Sequence, residues 1–387
     1  MKVIIKTAGK FGNELRELME QRLPNIEVVG YTDNDCNKWN TVQNSRIVYS
    51  PFKCAEMIKK NEVDKVIIPM KHRYLNVKNM FFELNGLEID EEDILISSVN
   101  IYDFQAEVNI DNAFLRINDF NYINITYCST FKCNLNCKKC SVFSPIHKDD
   151  YIDTFEDFKK QILRLKQIIP HITNFGFLGG EPLLQKDLGE CIKLLHSVYP
   201  ITKISIVTNA LLVKSMSSDL LKILHDYNVT VGISVYPVMN DKLENVYEYL
   251  KNKNIDTQIA GYRVDFSPIM CDEHCFPYKT LENICNCYTL YRGGISPCAH
   301  FHSMKKFNET FGTDYEYMDG IVDVFDENLK PSDIMPRLTK PSKLCGVCSA
   351  YKNKANFQPI TTGSRKETVK WDYYKSDEQP KAEDWFE

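Results

Sequence analysis

The chain has no run of about 18 consecutive apolar residues, so it offers no helix able to cross a membrane. Nothing near Met1 reads as a secretion signal, so none is expected. Val3-Ile4-Ile5 is cut off by Lys6, where a signal needs roughly 7 to 15 apolar residues. There is no excess of positive charge: 47 Lys and Arg stand against 52 Asp and Glu, a formal net charge of -5. The electrostatic footprint of a nucleic-acid binder is therefore missing. Neither an internal repeat nor a low-complexity tract interrupts the sequence. These absences predict a cytoplasmic chain with neither membrane nor nucleic acid as partner.

What is present is apolar residue content of 43%, enough for ordinary cores, in 387 residues, a length that predicts two or three domains. Fourteen cysteines are also present. In a reducing compartment, clustered cysteines point to metal binding or chemistry rather than to disulfides.

Three segments are expected, over residues 1–115, 116–261 and 262–387. In the first, Val3–Ile5, Ile26–Tyr31, Val66–Ile68 and Ile94–Ile96 read as strands separated by helical stretches such as Glu14–Gln21. In the second, Tyr122–Tyr127, Asn174–Leu178, Lys203–Thr208, Thr230–Ser234 and Thr257–Ala260 read as strands. A helix with Phe155, Phe158, Ile162, Leu165 and Ile169 on one face lies between the first two, with Thr154 and Asp157 as a capping box and Pro170 as its stop. This alternation predicts an α/β fold with parallel sheets, and in an α/β barrel the site lies at the C-terminal ends of the strands. The third segment is cysteine-rich and irregular, with one hairpin expected from Tyr288–Tyr291 and Ile295–Cys298. A charged and aromatic tail follows Gly363.

Directly after the strand Tyr122–Tyr127, the loop CNLNCKKC places cysteines at 133, 137 and 140. Thiolates select iron–sulfur clusters and zinc. Three of them leave one metal position open for chemistry, whereas a fourth ligand such as His147 or Cys128 would close a zinc site.

The C-x-x-x-C-x-x-C spacing after a first strand resembles the radical S-adenosylmethionine (SAM, AdoMet) superfamily signature. That resemblance implies a partial (β/α)6 barrel whose three cysteines hold a four-iron, four-sulfur cluster, with AdoMet on the fourth iron and a reducing partner such as flavodoxin or ferredoxin. Gly179-Gly180-Glu181-Pro182 is similar to the family's GGEP motif, which the resemblance places at the AdoMet amino group. Thr208, Asn209 and Ser234 fall where the family contacts ribose and carboxylate. This chain departs from the pattern at Lys139, where an aromatic residue is common, and after Ser234, where Val235-Tyr236-Pro237 contains no acidic residue.

Cys287, Cys298 and the pair Cys345/Cys348 form a second group, which on spacing suits zinc or an iron–sulfur cluster equally. Behind a barrel of this family it resembles the twitch module, a shortened relative of SPASM, and implies one auxiliary four-iron cluster. Cys271, Cys275 and Cys285 are alternative first ligands; with Cys128 they are also candidates for donating a hydrogen atom. The wording of CNLNCKKCSVFSP, LGGEPLL, ISVYP, GGISPC and KKFNETFG is similar to a radical SAM group associated with capsules and surface glycans.

The turn Thr7–Gly12 is an imperfect G-x-G-x-x-G, with Gly9, Gly12 and a downstream Asp33 where a ribose-binding carboxylate is expected. It looks like a small Rossmann-like module and implies a bound nucleotide; the alternative is a module that binds nothing. Together these readings predict radical oxidation or epimerisation of a carbohydrate or nucleotide sugar. A peptide-modifying maturase is the enzymatic alternative, and a zinc-binding interaction protein the non-enzymatic one.

Overall fold

The structure, a computed structural model, describes residues 1–71, 74–102, 104, 106–117, 123–138, 140–200, 202–239, 241–262, 265–266, 287–348 and 358–359. Cys271, Cys275, Cys285, Lys139 and the tail lie outside the described residues. The chain divides into two compact units, Met1–Tyr122 and Ile123–Glu387. Among the described residues no helix is long and apolar enough to cross a membrane.

In the first unit the strands are β1 (Lys2–Lys6), β2 (Glu27–Thr32), β3 (Val42–Gln43), β4 (Arg46–Tyr49), β5 (Lys65–Ile68), β6 (Ile94–Ser97) and β7 (Phe114–Leu115). They form one sheet in the order β3-β4-β2-β1-β5-β6-β7, parallel except at its two edges. The helices are α1 (Lys10–Arg22), α2 (Pro51–Lys59), α3 (Tyr74–Gly86) and α4 (Ile110–Ala113). Central parallel strands are covered on both faces and so read as unbroken apolar runs. Val3, Ile4 and Ile5, with Val66, Ile67 and Ile68, are accordingly all fully buried. The chain runs outward from β1 to β2 and β4, then returns to the other side of β1 as β5 and β6. That reversal is the topological switch of doubly wound sheets.

The second unit begins β8 (Ile123–Cys128), α5 (Phe155–Ile168), β9 (Ile172–Leu178), α6 (Leu188–Val198), β10 (Lys203–Thr208), α7 (Ser218–Asp226), β11 (Thr230–Val235), α8 (Leu243–Lys251) and β12 (Thr257–Tyr262). Each strand pairs in parallel with the next in sequence. Stepping one neighbour at a time with right-handed crossovers keeps the helices on one face of the sheet. A short strand β13 (Asp265–Phe266) follows. Beyond it come β14 (Thr289–Tyr291), β15 (Gly294–Ser296), α9 (His300–Phe311), β16 (Val322–Asp323), α10 (Pro331–Leu338) and β17 (Gln358–Pro359). β14 adds to the free edge of β8 in parallel, and β15 and β16 extend the sheet antiparallel. Strands from beyond residue 262 thus belong to the same sheet as the strands before it. β13 and β17 form a separate antiparallel pair.

The capping box at Thr154 and Asp157 opens α5. This helix lays Phe158, Ile162 and Leu165, all fully buried, on the sheet. Phe158 meets Tyr127 of β8 edge-on at 4.9 Å, and Phe175 and Phe177 of β9 complete the aromatic cluster. These packed rings hold β8 and β9 in register, and the loops that follow both strands build the site.

Candidate active site at the strand ends

Five consecutive parallel strands, β8 to β12, end at one cavity of about 400 Å³. It is lined by Cys133, Cys137 and Cys140 from the loop after β8 and by Gly179 and Gly180 after β9. Thr208 and Asn209 follow from β10, Ser234 and Tyr236 from β11 and Ala260 from β12. Residues from 133 to 260 converge because every parallel strand delivers its C-terminal end to the same edge.

The glycines after β9 have a local reason. Gly179 sits at φ +105, and a β-carbon there would lie 2.3 Å from the Thr130 carbonyl oxygen. At Gly180 it would lie 2.0 Å from the Lys132 carbonyl oxygen. In place of side chains there are backbone bonds: Gly180 N–H donates to Thr130 O at 3.0 Å and Glu181 N–H to Lys132 O at 3.0 Å. The close approach demanded of these glycines is therefore to the cysteine loop itself.

Glu181 is fully buried and is not among the residues lining the cavity. Its carboxylate accepts from Leu183 N at 3.1 Å, Thr208 Oγ1 at 2.7 Å and Asn209 N at 3.0 Å. Burial raises its pKa, and these three donors oppose the rise. Glu181 thus ties the turn after β9 to the end of β10, while Pro182 starts the short 3-10 turn behind it. Asn209 in turn donates its amide to Asn134 Oδ1 at 2.7 Å and to Cys133 Sγ at 3.7 Å.

Burial pushes the Cys133 thiol up to about 12, with the Leu135 N–H pulling it down, Cys140 adding to the rise and Asn209 opposing it. Cys137 is raised by burial and by Cys140 and Cys133. Thiols so placed ionise when a metal supplies the compensating charge. Among the described residues, no three Cys, His, Asp or Glu side chains close on a point suited to a single metal ion. The three thiols ring a cavity instead, and an all-sulfur donor set around that volume fits a cluster.

The two groups that would close a zinc site lie elsewhere. Cys128 is fully buried in β8, and a β-carbon on Gly179 would lie 3.3 Å from its side chain. His147 lines a different cavity, with Asp150 and Arg292.

Asp150 and Asp153 carry no signature in the sequence. Asp150 accepts from Phe131 N at 3.0 Å, and its other partners include Thr130 Oγ1, Tyr291 OH and an Arg292 guanidinium nitrogen at 3.0 Å. The buried Asp153 accepts from Tyr127 OH and Gln161 Nε2, each at 2.9 Å. These carboxylates join the cysteine loop and β8 to the β14–β15 turn. Asp150 is 141 residues from Tyr291 along the chain, so no local pattern reveals the contact.

In the second cysteine group, Cys287 and Cys298 each lie two residues outside the paired positions Thr289 and Ser296 of the hairpin. Cys298 and Cys345 both pack against one core of Phe143, Ile146, Phe301, Met304, Phe307, Tyr315, Leu344 and Val347. Cys345 lies within a 3-10 turn, Lys343–Val347, Cys348 caps its end, and Cys287 is exposed.

In the first unit, Gly12 is required by packing, since a β-carbon there would lie 2.0 Å from the Thr7 carbonyl oxygen. Gly9 caps α1 in an extended conformation. Asp33 is buried, and its carboxylate accepts from Ala8 N at 2.8 Å, Asp35 N at 3.0 Å and Lys38 Nζ at 3.1 Å. Burial would raise its pKa, but the donors outweigh it and hold the group below the usual range. Both carboxylate oxygens expected for a ribose are thus engaged by the chain's own donors.

The Radical SAM superfamily model matches residues 127–259. Among curated proteins, 7,8-dihydro-6-hydroxymethylpterin dimethyltransferase of Methanocaldococcus jannaschii is 29% identical over 126 residues, 33% of this chain and 24% of that protein. GTP 3',8-cyclase of Staphylococcus carnosus is 25% identical over 144 residues, 36% of this chain and 40% of that one. The matched part spans well under half the length of either relative. A solved structure, histidine-tagged anSMEcpe with bound AdoMet, aligns over 59% of this chain and 83% of that chain at 14% identity, with a TM-score of 0.42. The three-cysteine loop opens the matched region and the strand ends that line the cavity follow within it or immediately after, so residues 127–259, which build the site, are the part of the chain that is similar to the radical SAM superfamily.

Proposed function

We propose that the chain is an enzyme that removes a hydrogen atom from a carbohydrate or nucleotide-sugar substrate, with oxidation or epimerisation as the outcome. The observation that carries this reading is the single cavity where Cys133, Cys137 and Cys140 meet Gly179, Gly180, Thr208, Asn209 and Ser234. When bound there, a four-iron, four-sulfur cluster with AdoMet supplies the 5′-deoxyadenosyl radical, the hydrogen-abstracting species of this superfamily. The three cysteines hold the cluster, and the polar strand ends and glycine edges orient AdoMet. The electron comes from an external carrier of the flavodoxin or ferredoxin kind.

Cys298, Cys345 and Cys348, with Cys287 or a cysteine outside the described residues, hold a twitch-like auxiliary cluster in this reading. Support comes from the hairpin that Cys287 and Cys298 flank and from the core shared by Cys298 and Cys345. The carbohydrate substrate is supported by the glycan-associated wording of the motifs and by the doubly wound first unit with its Thr7–Gly12 turn.

Anaerobic reconstitution tests the proposal. The reduced wild-type protein is expected to form 5′-deoxyadenosine, and Cys137→Ala to abolish it; an unchanged rate in the variant rejects the cysteine assignment. Deuterated nucleotide sugars are expected to pass label into 5′-deoxyadenosine. Label arriving only from peptides would turn the assignment to a peptide maturase.

A further inference from the structure

The three thiols of the cavity differ in their surroundings. Cys133 Sγ receives the Leu135 backbone N–H at 3.4 Å and the Asn209 amide at 3.7 Å. Among the described residues, Cys137 and Cys140 receive no such donor. Asn209 comes from 76 residues away, at the end of β10. Its orientation is determined on every side. Its Oδ1 accepts from Leu211 N at 3.1 Å, its Nδ2 donates to Asn134 Oδ1 at 2.7 Å, and its backbone N–H donates to the buried Glu181 at 3.0 Å. Turning the amide over would set oxygen against the Asn134 oxygen and face nitrogen toward the Leu211 N–H, so the N–H points at sulfur.

In the thiol form Cys133 Sγ also donates its proton to Asn134 Oδ1, at 3.7 Å. Forming an iron–sulfur bond breaks that S–H bond and sends the proton to solvent, and the sulfur keeps only its two N–H donors.

We propose that Asn209 is a positioning residue for Cys133, whose amide N–H raises the reduction potential of the cluster held there. This rests on the reading that Cys133, Cys137 and Cys140 hold that cluster. Reduction adds negative charge that is shared by the ligand sulfurs, and N–H dipoles aimed at a sulfur stabilise the more negative state.

The test is a dye-mediated reductive titration of the full reconstituted chain without AdoMet, followed by electron paramagnetic resonance and with iron counted in parallel. Asn209→Leu keeps the branching and removes the N–H. It is expected to fold, with a melting temperature lowered by the loss of the bonds to Leu211 and Asn134, to retain the iron of the wild type and to shift the barrel cluster's midpoint to more negative potential. Asn209→Asp, which sets a carboxylate oxygen near the sulfur, should shift it further. An unshifted midpoint in a fully loaded Asn209→Leu protein overturns the proposal. So does a folded Asn209→Leu protein that takes up no iron into the barrel site, since Asn209 would then serve assembly rather than potential. If Asn209→Leu does not fold, Asn209→Ser takes its place under the same criteria. Failure of the cluster reading looks different: Cys137→Ala would leave the wild-type iron signal intact.

Discussion

Thr7 occupies the first glycine position of the imperfect fingerprint and adopts a glycine-like backbone, at φ 83. A β-branched residue in that region stores about 1–3 kcal/mol of strain. Glycine would release it, offset by about 0.5–1 kcal/mol of extra chain entropy in the unfolded state. Thr7→Gly is therefore expected to stabilise the protein by about 1 kcal/mol, measured as a higher urea midpoint at an unchanged slope. A lower midpoint would mean that the threonine side chain contributes more than its backbone costs. Similar strain lies at Ala210, at φ 65 immediately after Asn209. There it accompanies a bond from Ala210 N–H to Thr208 Oγ1 at 3.0 Å, which leaves the Thr208 hydroxyl proton for Glu181.

At the scale of elements, the joint between β9 and β10 depends on three donors that converge on one buried carboxylate. In Glu181→Gln one oxygen becomes an NH2, and at least one of Leu183 N–H, Thr208 O–H and Asn209 N–H then faces another donor. The expected cost is about 1–3 kcal/mol, the penalty of leaving a buried polar group unpaired. Chemical denaturation measures it, and a variant as stable as wild type would mean that the carboxylate is not the tie described. Elements also show where local reading fails. Strands of continuous Val and Ile, and the α5 helix with its capping box, are legible because burial and capping act within a few residues. The β3–β4 hairpin is missed because its turn, Asn44-Ser45, reaches positive φ at both residues without the glycine that usually marks such turns.

At the scale of the whole molecule, acid should be destabilising. Burial lowers His147 to about 4, with Asp150 opposing the shift, and His300 and His302 are also lowered by burial to about 4. Their unfolded value is near 6.5, so between these limits the unfolded chain binds more protons and stability falls as pH falls. Glu181 and Asp153 act in the opposite sense, because burial raises both acids. Stability measured by urea denaturation is expected to drop between pH 6.5 and 4, with about 3 kcal/mol at stake for the buried His147 alone. His147→Gln should flatten that drop, and a pH profile identical to wild type would remove His147 from the account.

The sequence by itself determined the α/β alternation, the parallel strands and the three-cysteine loop with its glycine turn, because periodicity, capping and ligand spacing are local properties. Only the tertiary structure decided what those residues face. Gly180 meets the carbonyl of Lys132, Glu181 lies beneath the cavity rather than in it, and Asn209 reaches Cys133. β14 joins the edge of β8, and Asp150 binds Arg292 across the same unit. Each of these contacts closes a loop of tens to more than a hundred residues. Their geometry is set by the packing of whole strands and helices, and no window of neighbouring residues carries that information.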